Sequence, residues 1–156
     1  MSAEKSEKTD ILGIITFGIF LIIVSIIYTM TPNLLDSIRE FFFDLEPQQL
    51  VSNIYIPTPK SDHPVLYTAL YQFCSAFAVL HIPILAGRFI LKESVNRKAE
   101  TASSIFFWFG AARMFNLLIS TDISWITFLG YLISLIGVSI VIRCLIILIA
   151  YSIRRT

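Results

Sequence analysis

The sequence predicts an all-α integral membrane protein with four transmembrane helices, and three observations carry this prediction. Apolar residues make up 56% of the 156 residues and charged residues only 15%, whereas a soluble domain is about one quarter charged. The mean hydropathy is +0.76. Long apolar runs alternate with short charged patches, which is typical of a polytopic membrane protein. A chain of this length has room for a single transmembrane domain, residues 1–156.

Four apolar runs are long enough to cross a bilayer core, which takes about 20 helical residues. They cover residues 11–30, 65–91, 103–120 and 125–153. The first run follows Lys5 and Lys8, as the apolar part of a signal peptide would. It exceeds the ~7–15 apolar residues of that class, however, and no small-residue cleavage site follows it. We therefore interpret this run as a retained first span.

Lysine and arginine are concentrated in the connections that four spans place on one side of the membrane. These residues are Lys5, Lys8, Lys92, Arg97, Lys98, Arg154 and Arg155. The connection 31–64 instead carries more acidic than basic residues. The positive-inside rule then predicts cytoplasmic N- and C-termini and an outside 31–64 connection, in a plasma or cytoplasmic membrane.

The outside connection begins with a pattern that predicts an extracytoplasmic amphipathic helix over about residues 32–45. Thr31 is a suitable N-cap, and Pro32 is a suitable first helical residue. Apolar residues then recur at helical spacing. They are Leu34, Leu35, Ile38, Phe41, Phe42 and Leu45. Asp36, Glu40 and Asp44 form the other stripe, which we interpret as a solvated face.

The rest of this connection, about residues 47–64, is expected to be an extended and stiff loop. Three prolines support that expectation, because proline and the residue before it favour extended backbone. They are Pro57, Pro59 and Pro64. The apolar patch at residues 54–56 is too short to predict a sheet.

Histidines and cysteines are few, and their positions argue against cofactors. His63 and Asp62 are too few for a metal site, so His63 is expected to be a solvated loop residue. His81 lies ~27 Å from His63 along an ideal helix, too far for the two to share a haem iron. Cys74 and Cys144 lie at different depths, so no disulfide is expected. We predict no metal and no cofactor.

Polar residues inside spans two and three carry most of the functional signal. Span two has a polar face that includes Tyr71 and His81, with Gln72 beside it, and span three has Arg113 and Asn116. Residues three or four positions apart share one face of a helix. Such faces are expected to turn inward or toward a partner, because lipid does not satisfy polar groups.

Span four combines a small-residue face with a charge. Gly130, Ser134 and Gly137 form a face suited to close helix packing, and Arg143 lies on a neighbouring face. The polar face of this span, like those of spans two and three, is expected to turn inward or toward a partner.

Arg113 is the residue that most needs a partner, because no Asp or Glu occurs inside any predicted span. An arginine at mid-bilayer costs ~2.5–3.5 kcal/mol on insertion scales. Four kinds of partner remain open. They are neutral groups of this chain (Asn116, Gln72, Tyr71 or carbonyls near Pro83), cytoplasmic water, a carboxylate of another subunit, and an anion or lipid phosphate.

Two functions are consistent with these features. The first is a non-catalytic subunit of a homo-oligomer or larger complex, with the lipid bilayer and other membrane subunits as partners. The alternative is a small channel or carrier for an anionic solute, in which His81, Arg113 and Arg143 form one basic zone. No phosphate loop, dinucleotide loop, metal cluster or nucleophile pattern occurs, so we expect neither enzymatic activity nor nucleic-acid recognition.

Overall fold

The computed structural model describes the backbone of residues 2–153 and the side chains of residues 13–50 and 52–153. The chain is mostly helical. The elements of residues 2–153 are α1 (Ser2–Met30), α2 (Leu34–Phe43), β1 (Leu45–Val51), β2 (Ile54–Pro59), α3 (Pro64–Ile90), α4 (Val95–Ile119) and α5 (Trp125–Ile153). Four described helices, α1, α3, α4 and α5, are long and apolar enough to cross a membrane. The predictions of a mostly helical chain and of four helices with the length and apolarity of membrane spans are confirmed.

The predicted spans agree with the helices best where apolar residues reach the helix ends. α5 covers the predicted residues 125–153, and α3 is displaced by one residue from the predicted range. α4 begins at Val95 rather than at 103, because Ser94 has the extended backbone of an N-cap residue, with φ −61° and ψ 151°. The Lys, Ala and Glu that follow are good helix formers. The apolar run therefore predicted the centre of α4 correctly but not its first residue.

Part of the predicted orientation rests on residues that lie outside the described side chains. These residues are Lys5, Lys8, Arg154 and Arg155.

α3 is the central helix of the fold. It packs against both α1 and α4, and α5 packs against α4. Across the described residues, α1 and α5 share no extensive contact. The helices therefore form an open row in the order α1, α3, α4 and α5 rather than a closed four-helix bundle.

Aromatic rings connect the first three helices of this row. Phe20 of α1 meets Phe73 and Phe77 of α3 edge-on, with ring centroids 5.9 and 5.8 Å apart. Phe77 in turn meets Trp108 of α4 edge-on at 4.9 Å. Such pairs add ~0.5–1.5 kcal/mol beyond the burial of their area.

Small residues allow α3, α4 and α5 to approach closely. Cys74, Ala111, Ala112 and Leu135 form one buried cluster. A Cβ atom at Gly110 would overlap the Leu135 side chain, so a larger residue where α4 crosses α5 would require Leu135 to shift.

Residues 45–59 form an antiparallel β-hairpin, so the expectation of an extended loop without a sheet is wrong. The register of β1 and β2 places Pro47 opposite Pro57. In a two-stranded sheet both strands are edges, and edge strands tolerate proline. Asn53 provides the turn residue at φ 71°, a conformation that asparagine tolerates. The patch at residues 54–56 is too short to predict a sheet by itself. It forms a sheet because it pairs with β1.

α2 is shorter than the predicted 32–45 and begins differently. Its N-cap is Asn33, in the left-handed conformation at φ 58°. Pro32 consequently lies outside the helix, and the prediction of a Thr31 cap is wrong. Asparagine accommodates this conformation because its short polar side chain hydrogen-bonds locally.

Apolar side chains of α2 cover one end of the helical row. Leu34, Ile38 and Phe41 pack against a buried cluster. The members of that cluster are Leu66, Tyr67, Leu118 and Phe128. The contact attaches α2 to α3, α4 and α5 together.

The turn between α3 and α4, at the other end of the row, is organised by Arg88. Its Nη1 donates a 2.7 Å hydrogen bond to the carbonyl oxygen of Arg97. Its Nε lies 3.9 Å from Oε2 of Glu93, whose carboxylate is buried. In the sequence, the connection between α3 and α4 resembles a simple basic loop. In the structure, its turn contains a buried acid, Glu93.

Candidate functional site

Arg113 lies on the outside of the helical row. The side chain is exposed, and its Nη1 donates a 3.1 Å hydrogen bond to Oδ1 of Asn116, one turn along α4. Across the described side chains, Asn116 is its one hydrogen-bond partner. Of the neutral partners weighed from the sequence, Gln72 and Tyr71 make no described hydrogen bond to the guanidinium.

The face of α4 around Arg113 is apolar and exposed. Phe106 and Phe109 precede it by seven and four residues, a spacing that gives one helix face, and they are 42% and 46% exposed. Ala111, which is buried in the contact with Cys74 of α3, lies about 200° away around the helix. The inward orientation expected for polar faces is therefore wrong for Arg113, whereas an orientation toward a partner stays a prediction.

The other two basic residues of the predicted zone are His81 and Arg143. Arg143 of α5 is exposed. The ring of His81 is partly buried, with Nδ1 2.7 Å from the carbonyl oxygen of Phe77 and its centroid 4.7 Å from the Phe77 ring. No described hydrogen bond or ring contact joins any two of the three basic residues. The basic zone of His81, Arg113 and Arg143 therefore stays a prediction.

Tyr71 and Gln72 are neighbours in sequence but point in different directions. Tyr71 packs against the buried cluster of Cys74 and Ala111. Gln72 is exposed and faces α1, where it lines a cavity with Met30. The divergence follows from the ~100° rotation between consecutive residues of a helix.

No neighbouring described atom lies within 4 Å of a Cβ atom placed at either glycine of the small-residue face of α5. Gly130, Ser134 and Gly137 are all exposed. Ser134 Oγ donates a 2.9 Å hydrogen bond to the Gly130 carbonyl oxygen, which satisfies the hydroxyl inside its own helix. This surface contrasts with Gly110, which is filled by Leu135.

A polar cluster that the sequence did not predict lies beside the hairpin, and we call it the Asp44 clasp: Asp44, Ser61 and His63. One carboxylate oxygen, Oδ2 of Asp44, accepts hydrogen bonds from Ser61 N–H at 2.8 Å and from Ser61 Oγ at 2.7 Å. It accepts a third from His63 Nε2 at 3.0 Å. The bonds from Ser61, with a smaller contribution from His63, lower the pKa of Asp44 from 3.8 to about 2.

His63 is buried, at 9% exposure, so its expected role as a solvated loop residue is wrong. The edges and faces of Phe41 and Tyr67 enclose the ring, with centroids 5.4 and 6.3 Å away. The sequence assigned Asp44 to a solvated stripe. In the structure, its carboxylate accepts a hydrogen bond from the buried His63 ring and so offsets the cost of burying that polar group. The two residues are 19 positions apart, and the hairpin between them brings them together.

Trp125 fixes the hairpin to α5. Its Nε1 donates a 3.1 Å hydrogen bond to the carbonyl oxygen of Pro57 in β2. The indole also stacks on Tyr67 and Phe128, with centroids 6.4 and 5.3 Å apart. The first residue of α5 therefore closes the same aromatic layer that covers His63.

No family model matches this chain, and no curated protein or solved structure shows significant similarity to it. The functional argument therefore rests on the geometry.

The Asp44 clasp contains a serine, a histidine and an aspartate, but their arrangement is not that of a catalytic triad. In a triad the serine donates to the histidine, which the carboxylate orients. Here Ser61 and His63 both donate to one oxygen of Asp44, so the histidine does not activate the serine. Across the described residues no group of three or more His, Cys, Asp or Glu side chains is placed to hold a metal ion. The clasp fixes the end of the hairpin and α2 to the start of α3.

Proposed function

We propose that this protein is a non-catalytic membrane subunit that works in a homo-oligomer or larger complex, with partners on the outer faces of α4 and α5. The observation that supports this most is Arg113, which projects from an exposed apolar face with one amide as its described partner. Lipid tails would leave most of its donors without acceptors. A protein partner on this face supplies them.

The cost of leaving Arg113 against lipid gives the size of the driving force. Insertion scales assign ~2.5–3.5 kcal/mol to an arginine at the centre of a span. The flanking Phe106 and Phe109 offset that cost for insertion, but they accept no hydrogen bonds from the guanidinium. An acceptor on a neighbouring helix recovers part of the cost.

The partner of Arg113 is best supplied by a different polypeptide. No predicted span of this sequence contains Asp or Glu, so a second copy brings no carboxylate to this depth. Two copies joined by this face around a two-fold axis would also bring two guanidinium groups together. A heterologous subunit with a membrane carboxylate or amide at the depth of Arg113 is therefore the proposed partner for α4.

The small-residue face of α5 is the proposed contact for a second copy. Membrane helices associate where small residues let their backbones approach. Gly130, Ser134 and Gly137 provide such a face, and the space above both glycines is open. The packed Gly110 shows that this chain already uses a glycine for one close helix contact.

The proposed orientation places both termini in the cytoplasm and the 31–64 connection outside, in accordance with the positive-inside rule. α2 then lies at the outer interface as an amphipathic helix. Its apolar residues Leu34, Ile38 and Phe41 contact the helical row, and Asp36 and Glu40 remain exposed.

Cysteine cross-linking tests the α5 contact. In a Cys144→Ser background, Ser134→Cys is expected to form a disulfide-linked dimer when membranes are oxidised. Ile136→Cys is the matched control, because it is also exposed but lies about 200° around α5 from Ser134. Equal cross-linking of both variants, or none of either, contradicts the proposed contact.

Leucine substitution tests the same contact by a second route. The double variant Gly130→Leu and Gly137→Leu should lower the dimer fraction seen by native mass spectrometry. Gly13→Leu and Gly18→Leu are the control, since a Cβ atom at these positions of α1 also meets nothing within 4 Å. A wild-type protein that is monomeric and carries no other polypeptide contradicts the proposed function.

Arg113→Leu tests the α4 contact. Polypeptides that co-purify with the wild type in a mild detergent should be lost from this variant and retained by Phe109→Leu, which alters the same exposed face without removing a charge. The alternative function, an anion channel, predicts instead an anion flux in liposomes that Arg113→Leu abolishes. That flux in the absence of any partner would replace the proposal with the alternative.

A further inference from the structure

Three adjoining surface cavities lie where α1, α2 and α3 meet, and we call them together the α1–α3 groove. The cavity beside α2 has a volume of about 730 Å³ and shares Pro32 and Val65 with a middle cavity of about 340 Å³. The middle cavity shares Met30 and Gln72 with a third, of about 280 Å³, between α1 and α3. The shared lining residues make the groove run from α2 along the two long helices.

The wide end of the groove is lined by three charges of α2. Asp36, Arg39 and Glu40 are spaced three and four residues apart, so they share one helix face, and all are exposed. The ion pairs of the described side chains do not include any of the three. The Arg39 guanidinium carbon lies 5.6 Å from the centre of the Phe43 ring. The wide end therefore presents one cation and two anions with no described ion pair between them.

The middle of the groove is uncharged, and polar side chains lie there among apolar ones. Thr68 and Gln72 line it one turn apart on α3, and both side chains are exposed. Neither takes part in a described side-chain hydrogen bond. Polar groups on a membrane-length helix need partners, because lipid tails provide none.

The far end of the groove is apolar. Ile23, Ile26, Ile27 and Met30 recur at the spacing of one helix face on α1, and Ala76 lies opposite on α3. Along the groove, the charged side chains of α2 are therefore followed by Thr68 and Gln72 and then by the isoleucine face of α1. A glycerophospholipid changes in the same order, from headgroup through ester carbonyls to acyl chains.

We infer that the α1–α3 groove binds one glycerophospholipid with a phosphoethanolamine headgroup. Arg39 receives the phosphate, Asp36 and Glu40 receive the ammonium, Thr68 and Gln72 donate to the ester carbonyls, and the acyl chains follow Ile26 and Met30. The inference needs only that α1 and α3 cross a bilayer and does not depend on self-association.

The two carboxylates select the class of headgroup. A primary ammonium offers three N–H donors to Asp36 and Glu40, whereas a trimethylammonium offers none, and charge-assisted hydrogen bonds are the stronger kind. The headgroup of phosphatidylglycerol has no ammonium for the two carboxylates to bind, and its phosphate would lie beside both of them. Phosphatidylethanolamine therefore fits, and phosphatidylcholine and phosphatidylglycerol fit less well.

Native mass spectrometry of the full-length protein tests the inference. The delipidated protein is mixed with equal amounts of phosphatidylethanolamine, phosphatidylcholine and phosphatidylglycerol that carry the same acyl chains. The expected result is one retained lipid with about tenfold preference for phosphatidylethanolamine, the ratio that corresponds to ~1.4 kcal/mol. Equal retention of all three lipids, or preference for phosphatidylglycerol, overturns the inference.

A charge-neutralising variant tests the headgroup end. Asp36→Asn with Glu40→Gln should bring the preference for phosphatidylethanolamine over phosphatidylcholine close to one. Asp62→Asn with Glu100→Gln removes the same two charges from exposed positions outside the groove and should leave the preference unchanged. An unaltered preference in the first variant overturns the assignment of the headgroup.

Gln72→Leu tests the middle of the groove separately. The variant should retain about threefold less ester-linked phosphatidylethanolamine, roughly the loss of one neutral hydrogen bond, and its headgroup preference should persist. Ether-linked phosphatidylethanolamine lacks the carbonyls, so Gln72→Leu should not change its retention. Gln48→Leu, in β1, is the control for the substitution. If Gln72→Leu lowers retention of both lipids equally, the contact with the ester carbonyl is wrong.

Discussion

Asp44 and Arg113 are two charged side chains that this fold treats in opposite ways. Asp44 accepts three hydrogen bonds on one oxygen, two from Ser61 and one from His63. Arg113 has five N–H donors and donates one described hydrogen bond, to Asn116. The described hydrogen bonds therefore satisfy Asp44 within one chain, whereas most N–H donors of Arg113 have no described acceptor.

The same contrast separates two groups of aromatic side chains. Phe128 is 2% exposed beneath Trp125 and Tyr67, while Phe106 and Phe109 stand open beside Arg113. The difference identifies which residues stabilise the single chain and which remain free for contacts outside it. Substitutions in the two regions should accordingly affect different measurements.

Phe128→Ala gives the largest expected loss of stability. Removing a buried phenylalanine destabilises by ~3–5 kcal/mol, through lost burial and the cavity left behind. The matched change Phe109→Ala, on the exposed face of α4, should cost less than about 1 kcal/mol. Unfolding of the detergent-solubilised protein by titration with a denaturing detergent, followed by circular dichroism, measures both. Equal losses would mean that the outer face of α4 is buried in the purified protein, which would remove the contrast.

Alanine substitution of two glycines of adjacent helices should change stability in opposite directions. Gly110→Ala places a Cβ atom against Leu135, and overpacking of this kind costs ~1–3 kcal/mol. Gly130→Ala enters open space and should stabilise the monomer by ~0.5–1 kcal/mol, because alanine loses less backbone entropy than glycine in a helix. The same unfolding titration, performed at protein concentrations where the chain is monomeric, measures the two signs. A loss of stability with Gly130→Ala would show that the face is already packed.

Hydropathy predicted the long helices because a helix excluded from water is apolar whether lipid or protein surrounds it. It did not predict which way Arg113 faces. Lipid tails and protein interiors are both apolar, so the sequence of an apolar helix face does not show whether that face contacts lipid or protein. The direction became visible only when Ala111 was seen in contact with Cys74 and Leu135.

The Asp44 clasp was beyond prediction for a different reason. Helix periodicity assigned Asp44 to a solvated stripe, and local sequence assigned His63 to a loop. Both assignments follow from near neighbours alone, whereas the contact between the two residues depends on the pairing of β1 with β2. The pairing is a long-range property, and the prolines at positions 47 and 57 obscured it.

Acid should open the Asp44 clasp. The pKa of Asp44 is lowered to about 2 in the fold from 3.8, so its stabilising contribution is complete above the higher value and is lost as the pH falls through the lower one. Trp125 reports the change, because it bonds the hairpin at Pro57. In a Trp108→Phe background, its fluorescence should change between about pH 4 and pH 2. Asp44→Asn should lack this transition, and its persistence in that variant would assign the acid response to another group.

Lys60→Met should have the smallest effect, although it removes the shortest described ion pair. Lys60 Nζ lies 2.6 Å from Glu46 Oε1, and that hydrogen bond raises the pKa of Lys60. Both side chains are more than half exposed, and exposed pairs contribute little because water and salt screen them. The Trp125 transition should therefore be the same in Lys60→Met and in the wild type, at low and at high salt. If Lys60→Met moved the transition as far as Asp44→Asn does, the hairpin would be held by exposed charge. The hydrogen bonds of Asp44 would then no longer distinguish this end of the molecule from the open face around Arg113.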